Sequence, residues 1–227
     1  MIKNLLFSIF FLFGCINTGA LLADSTSASV RQNKNLSIEG RLGFIVGAIP
    51  GTGAAVTYHM FKDFHIGASH VVGAIDLVNE IEEPSGIETD TAKLSTSVSQ
   101  IYARYFLGNS FYLSGGFGQR TVEANVDVRS TVFDTGIEGS IEASSSIFNA
   151  SLGNVWSWDS GFFFGCEWVG VMAPFANSNS GELTLSGTAL EEDEEFKELK
   201  KDTEDLAQFF GESTTASLFV VQLGWAF

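Results

Sequence analysis

Between Ser217 and Phe227 a large apolar side chain stands at every second position: Phe219, Val221, Leu223, Trp225 and Phe227. Successive residues of a strand point to opposite faces, so these five form one continuous stripe. Leu218, Val220, Gln222, Gly224 and Ala226 form the other, smaller face. The segment reads as a β-strand with one strongly apolar face that closes on an aromatic residue.

The other end of the chain reads as an export signal. Met1-Ile-Lys-Asn supplies one positive charge, Leu5 to Phe13 is an apolar core, and small residues follow through Ala20 and Ala23. Residues 1–23 are therefore expected to be a signal peptide, cut after Ala20 or Ala23, with 24–35 as an N-terminal periplasmic segment. Leu12-Phe-Gly-Cys15 offers a lipobox as the competing reading, although Phe13 fits it poorly. Beyond Cys15 only Cys166 remains, and one thiol makes no intramolecular disulfide.

The chain is 45% hydrophobic yet carries a net charge of −15, and these two properties need separate places. The charge is confined to three stretches. Asp76–Lys93 holds six acids against one base, Glu123–Ser144 five against one, and Asn177–Thr215 eleven against three. Their surplus of acid exceeds the net charge of the whole chain, so the remainder is close to neutral. A surface this acidic repels phosphates, which excludes nucleic acid as a partner.

Between the acidic stretches lie eight segments with strand character, at about 36–48, 53–61, 64–75, 94–107, 110–124, 145–157, 161–174 and 214–227. The joins at Lys62-Asp63, Gly108-Asn109 and Trp158-Asp159-Ser160 are tight turns. The joins after strands three, five and seven are the acidic stretches, expected as extracellular loops near 76–93, 123–144 and 175–213, and only the join around Ile49–Thr52 is short on that side. An even number of strands with short turns at one end and long loops at the other is the plan of an outer-membrane barrel, here over residues 36–227.

Side-chain parity gives each strand two faces. In the seventh, Phe162, Phe164, Cys166, Trp168 and Met172 are expected toward lipid, with Gly161, Gly165 and Glu167 inside. In the fourth, Ile101, Ala103, Tyr105 and Leu107 alternate with Gln100, Tyr102 and Arg104. The third strand is the exception, because its more apolar set leaves His70 facing lipid. Leu42–Phe61 is uncharged over the length of a membrane helix, but five Gly and Pro residues interrupt it. A soluble sandwich or lipocalin-like barrel also suits eight alternating strands. The crowding of Trp156, Trp158, Phe162, Phe163, Phe164 and Trp168 near one short turn favours a membrane girdle instead.

In plan, residues 36–227 resemble the small eight-stranded outer-membrane barrels of the OmpA transmembrane-domain and OmpX kind, and the C-terminal strand resembles theirs in motif. The resemblance implies an all-β, eight-stranded antiparallel up-and-down transmembrane barrel in a Gram-negative outer membrane. It also implies that Phe219, Val221, Leu223, Trp225 and Phe227 are the insertion signal read by the outer-membrane insertion machinery.

A barrel of eight strands is just filled by side chains. Parity sends Glu39, Arg41, Arg104, Arg120 and Glu167 inward, where buried charges must be paired, so an internal network of two carboxylates and three guanidiniums is expected. His59, His65 and His70 are the three histidines, and opposite parity separates His65 from His70, which disfavours a metal site or catalytic pair. Ser69-His70 alone is no triad, and no hydrolase, zincin or phosphate-loop motif is present. Cys166 is expected to pack on the outer face as a small apolar residue. The run Glu191–Glu195 followed by Phe196, Leu199 and Leu206 suits a short amphipathic helix.

The sequence thus points to a non-enzymatic barrel without cofactor or metal, whose acidic loops act in surface interaction or envelope integrity. Expected partners are outer-membrane lipids and lipopolysaccharide, the insertion machinery and an extracellular protein. A narrow porin or path for small hydrophobic solutes is the first rival, and a barrel-embedded lipid-modifying enzyme the second.

Overall fold

The backbone alternates so strictly that every strand finds its sequence neighbour. In the computed structural model, which describes residues 27–46, 49–76, 87–130, 135–186, 201, 205, 208–209 and 211–227, a short helix α1 (Ser27–Asn33) precedes eight strands. These are β1 (Leu36–Val46), β2 (Ile49–Phe61), β3 (Phe64–Asp76), β4 (Ile87–Phe106), β5 (Phe111–Ser130), β6 (Thr135–Ser157), β7 (Phe162–Ser186) and β8 (Thr215–Ala226). Each pairs antiparallel with the next, and β8 returns to β1 to close a barrel. The expected signal peptide and most of the expected amphipathic helix lie outside the described residues.

The faces are inverted relative to a water-soluble protein. Buried positions include Ser37, Glu39, Arg41, Thr57, Arg104, Glu167 and Gln222, whereas Leu42, Phe117 and Phe148 are 57–58% exposed. Large exposed apolar side chains on all eight strands, from Ile38 to Trp225, make a continuous outer belt far beyond the patch a soluble monomer shows. In β8, Phe219, Leu223, Trp225 and Phe227 are exposed and Val221 half-buried, while Val220, Gln222 and Ala226 are buried.

The register fixes the strand tilt. Partners of Leu36 followed round the wall are Tyr58, Ile66, Ala103, Gly115, Ala150, Val171 and Ala216. Ala216 lies two residues before Leu218, the partner of Phe44, so the row returns to β1 about ten residues above its start. That stagger over eight strands corresponds to a tilt of about 40°. A row therefore climbs as it passes from β1 to β8. On β4–β6 the wall accordingly turns polar at Ser99, Gln119 and Ser146, while on β1–β3 apolar residues persist to Phe44 and Val72.

Three expectations need correction. The acidic stretches are not simply loops: β4 begins at Ile87, β5 runs to Ser130, β6 starts at Thr135 and β7 reaches Ser186. Alternation such as Val122-Glu-Ala-Asn-Val-Asp-Val128 already carries strand character, and the acidity masks it. The β1–β2 connection is also tighter than expected, because β2 starts at Ile49. In β7 the parity slips. Leu152 pairs with Val169 and Gly153 with Glu167, so Trp168 is an extra residue, and Met172 is buried instead of facing outward. Cys166 keeps outward parity but is 4% exposed, with its Sγ 3.8 Å from the Glu167 carbonyl. His70, by contrast, needs no bulge: β3 pairs with β4 without a break from Phe64 to Asp76, and His70 is on the outer wall.

A second bulge faces the first. In β8 the register against β1 slips between Leu42 and Phe44, and Phe219 adopts φ 50°, a left-handed conformation rare for an aromatic. Phe219 and Trp168 meet edge to face at 6.4 Å. Gly43 lies against this bulge, where a Cβ would come 2.6 Å from the Val220 Cα.

Candidate functional site

The lumen is filled in layers. Nearest the short turns, Phe106, Tyr112, Val155 and Phe163 form an apolar cluster. Toward the other end Val98, Ile147 and Met172 form a second one against Val46. Between them lies the charge. Arg41 sits 2.6 Å from the Glu39 Oε1, and the Arg104 guanidinium approaches the same oxygen at 3.6 Å. Both arginines are also held by aromatic faces: Arg41 lies 5.0 Å from the Tyr102 ring centroid and Arg104 lies 4.3 Å from that of Tyr112.

Polar side chains link the charges to the wall. Arg104 donates to Gln222 Oε1 at 3.3 Å, and the Gln222 amide donates to the Tyr112 hydroxyl at 3.1 Å. Thr57 and Tyr102 hydroxyls are 2.6 Å apart. Glu167 accepts from Ser151 at 2.9 Å and from Ser217 at 3.1 Å. Glycines on inward positions make room for these groups: a Cβ on Gly67 would strike the Tyr102 ring at 2.6 Å, and one on Gly170 the Ser217 Oγ at 2.4 Å.

The five residues expected to form one network occupy three centres. Glu39, Arg41 and Arg104 make the first, Glu167 with its two serines the second. Arg120 belongs to neither: it donates to the Ser213 carbonyl at 3.0 Å, Thr215 Oγ1 at 2.7 Å and the Gly211 carbonyl at 3.4 Å. It thereby ties β5 to the segment that enters β8. Arg120 is fully buried, and sequence parity says nothing about its height along the barrel axis, which the strand stagger sets.

Two groups escape the sequence. His59 and His65 stack with ring centroids 4.1 Å apart. His59 also contacts Ser37 Oγ at 3.0 Å and the Lys34 carbonyl at 2.7 Å, and His65 packs on Phe106. The second is Arg31 of α1, which is 3% exposed. Its guanidinium donates to the carbonyls of Lys62, Gly108 and Asn109, in the β2–β3 and β4–β5 turns, and lies 3.9 Å from the Phe106 ring centroid. At the helix start, Ser27 Oγ accepts from the Ser157 amide at 2.9 Å. The helix thus lies across the turn end of the barrel. Burial draws the Arg31 pKa down to about 10, which leaves the cation intact at neutral pH. The cavity remaining between Arg31, Glu39, His65 and Arg104 is about 20 Å³, room for a single water.

Outside, aromatics gather at the same end. Trp158 stacks on Phe162 at 5.4 Å and Phe162 meets Trp225 at 5.9 Å, whereas Trp156, stacked on Phe164 at 5.8 Å, is itself buried. Tyr58, Tyr105 and Phe227 are exposed close by. Higher on the wall His70 Nδ1 is 2.7 Å from Ser99 Oγ, which gives the one outward histidine a partner. Among the described residues no three His, Cys, Asp or Glu side chains converge as a metal site.

No family model and no curated protein matches the chain. Solved structures with a similar fold include Ail, the attachment invasion locus protein of Yersinia pestis, at 11% identity over 86% of this chain and 97% of that one, with a TM-score of 0.45. A major outer membrane protein from Thermus thermophilus is 13% identical over 85% and 99%, TM-score 0.48. CarO of Acinetobacter baumannii is 14% identical over 86% and 99%, TM-score 0.49. Likenesses this remote say nothing about residues or role. What the protein has in its own right is a closed eight-stranded, up-and-down antiparallel barrel with an apolar outside and a charged, filled inside.

Proposed function

We propose that the protein is an integral outer-membrane barrel with a closed lumen, whose acidic sheet beyond the membrane acts in surface interaction or envelope integrity. The observation that carries this reading is the unequal strand length. β1–β3 and β8 have 11–13 residues, close to what a tilted strand needs to cross a membrane, whereas β4–β7 have 20–25. The surplus makes a four-stranded extension on one side, which carries Glu88, Asp90, Glu123, Asp127, Glu138, Glu142 and Glu182.

The apolar belt and its aromatic lower rim support embedding in a bilayer. The layered lumen supports a structural filling: an ion entering it would have to displace the Glu39–Arg41 pair and Arg104. Ser37 Oγ lies 3.0 Å from His59 Nε2, and His59 Nδ1 lies 2.7 Å from the Lys34 carbonyl, but both side chains are buried beside a cavity of about 20 Å³, too small for a substrate, which favours the non-enzymatic reading. Acidic strands suit a basic protein partner or a lipopolysaccharide layer bridged by divalent cations.

Two measurements test the proposal together. Unheated protein from purified outer membranes should migrate differently from boiled protein on a denaturing gel, because a closed hydrogen-bond ladder has no edge at which to unravel. In planar bilayers it should give no steady single-channel steps. A soluble periplasmic protein with no heat shift would overturn the membrane reading, and regular conductance steps would replace the closed barrel with the narrow porin.

A further inference from the structure

On the outer wall, from β1 across to β5, runs a groove of about 530 Å³. It exists because the outward side chains of β3 and β4 are small there, Ala74, Ser95 and Ser97, between larger neighbours. Its lower part is apolar, bounded by Leu42, Pro50 and Val72. Its upper part is polar, bounded by Ser95, Ser97, Thr121 and Glu123. Strand tilt makes this diagonal a climb, so the groove leaves the apolar belt and ends where the acidic extension begins.

We propose that this groove holds one amphiphile of the outer leaflet, its chain along Leu42, Pro50 and Val72 and its cationic, amine-bearing head at Ser97, Thr121 and Glu123. The inference rests on the membrane reading above. The sign of the head follows from charge. Glu123 is exposed and stands opposite exposed Glu142 in the β5–β6 ladder, and like charges directly opposite destabilise a sheet. An amine seated between Glu123 and the hydroxyls relieves that repulsion. Among the described residues no Lys or Arg lines the groove. The nearest base on β4, Lys93, lies one row beyond and is in register with Asp76 and Asn125, so a phosphate or sulfate head would meet only carboxylate and hydroxyl oxygen.

The test uses the full barrel with ¹³C-labelled Leu and Val methyls in a neutral maltoside detergent, titrated separately with dodecylamine, dodecanol and dodecyl sulfate. Dodecylamine should shift the Leu42 and Val72 methyls saturably and leave Leu223 and Val171, elsewhere on the wall, unmoved. Glu123→Gln should weaken that binding about fivefold, the size of one partly exposed ion pair. Ala74→Phe, a filling change at an outward position, should abolish it while the heat-dependent gel shift persists. Equal shifts from dodecanol and dodecylamine would overturn the cationic head. Shifts spread evenly round the belt would overturn the groove itself. Failure of the membrane reading would show separately, as loss of the heat shift in wild-type protein.

Discussion

Glu39 and Arg41, two residues apart on β1, point the same way and close a 2.6 Å ion pair inside the barrel, with Arg104 of β4 approaching the same carboxylate oxygen. One carboxylate thus serves two guanidiniums, and the two cannot be lost with equal consequence. Glu39→Gln strands both arginines in the lumen, and removing the partner of a buried charge costs about 3–5 kcal/mol. Arg41→Met leaves Glu39 with Arg104. The expected order of detergent-resistant stability, read from the temperature at which the compact gel band is lost, is wild type, then Arg41→Met, then Glu39→Gln.

The stacked histidines separate shape from polarity. His65→Phe preserves a flat ring between His59 and Phe106 but is slightly larger, and should cost about 1 kcal/mol, the low end of overpacking. His65→Ala opens a void under α1 and should lose about 2–4 kcal/mol. Denaturant titration of both variants in micelles checks the difference.

Glycine tolerance should differ sharply between neighbours on β1. A Cβ at Gly40 meets nothing closer than the Leu223 carbonyl at 3.9 Å, whereas at Gly43 it would press on the backbone of the β8 bulge. Gly40→Ala should therefore assemble like the wild type. Gly43→Ala should lower the yield of heat-modifiable protein and destabilise what forms by about 1–3 kcal/mol, the range of overpacking.

Arg31→Ala removes three carbonyl partners and the contact over Phe106. Limited proteolysis should then cut near α1 while leaving the barrel intact, and conductance in planar bilayers should stay absent, because the Glu39 layer lies beneath the helix. Channel steps appearing in Arg31→Ala would assign the seal to α1 instead.

Much of this architecture can be read from parity alone, since Glu39 and Arg104 occupy inward positions in unbroken stretches of strand and Glu167 is the last inward position before the β7 bulge. Parity fails where the count slips, as at Trp168, whose extra residue turns Met172 inward. Nothing in the local sequence marks that bulge, which lies opposite the one at Phe219 on the neighbouring strand. The acidic stretches mislead for a different reason: charge on one face of Val122–Val128 speaks of solvent, and a solvated strand edge carries the same charge as a loop. The His59–His65 stack depends on β2–β3 register, which the apolar pattern of either strand alone does not specify.

The seat of α1 is assembled from parts distant in sequence: the turn after β2, the turn after β4 and the end of β6. None of these stands in place until the neighbouring strands are zipped. In kinetic terms the helix that precedes β1 is expected to dock late, outside the rate-limiting nucleus. Changes within it should alter how fast the finished barrel comes apart and leave untouched how fast it forms.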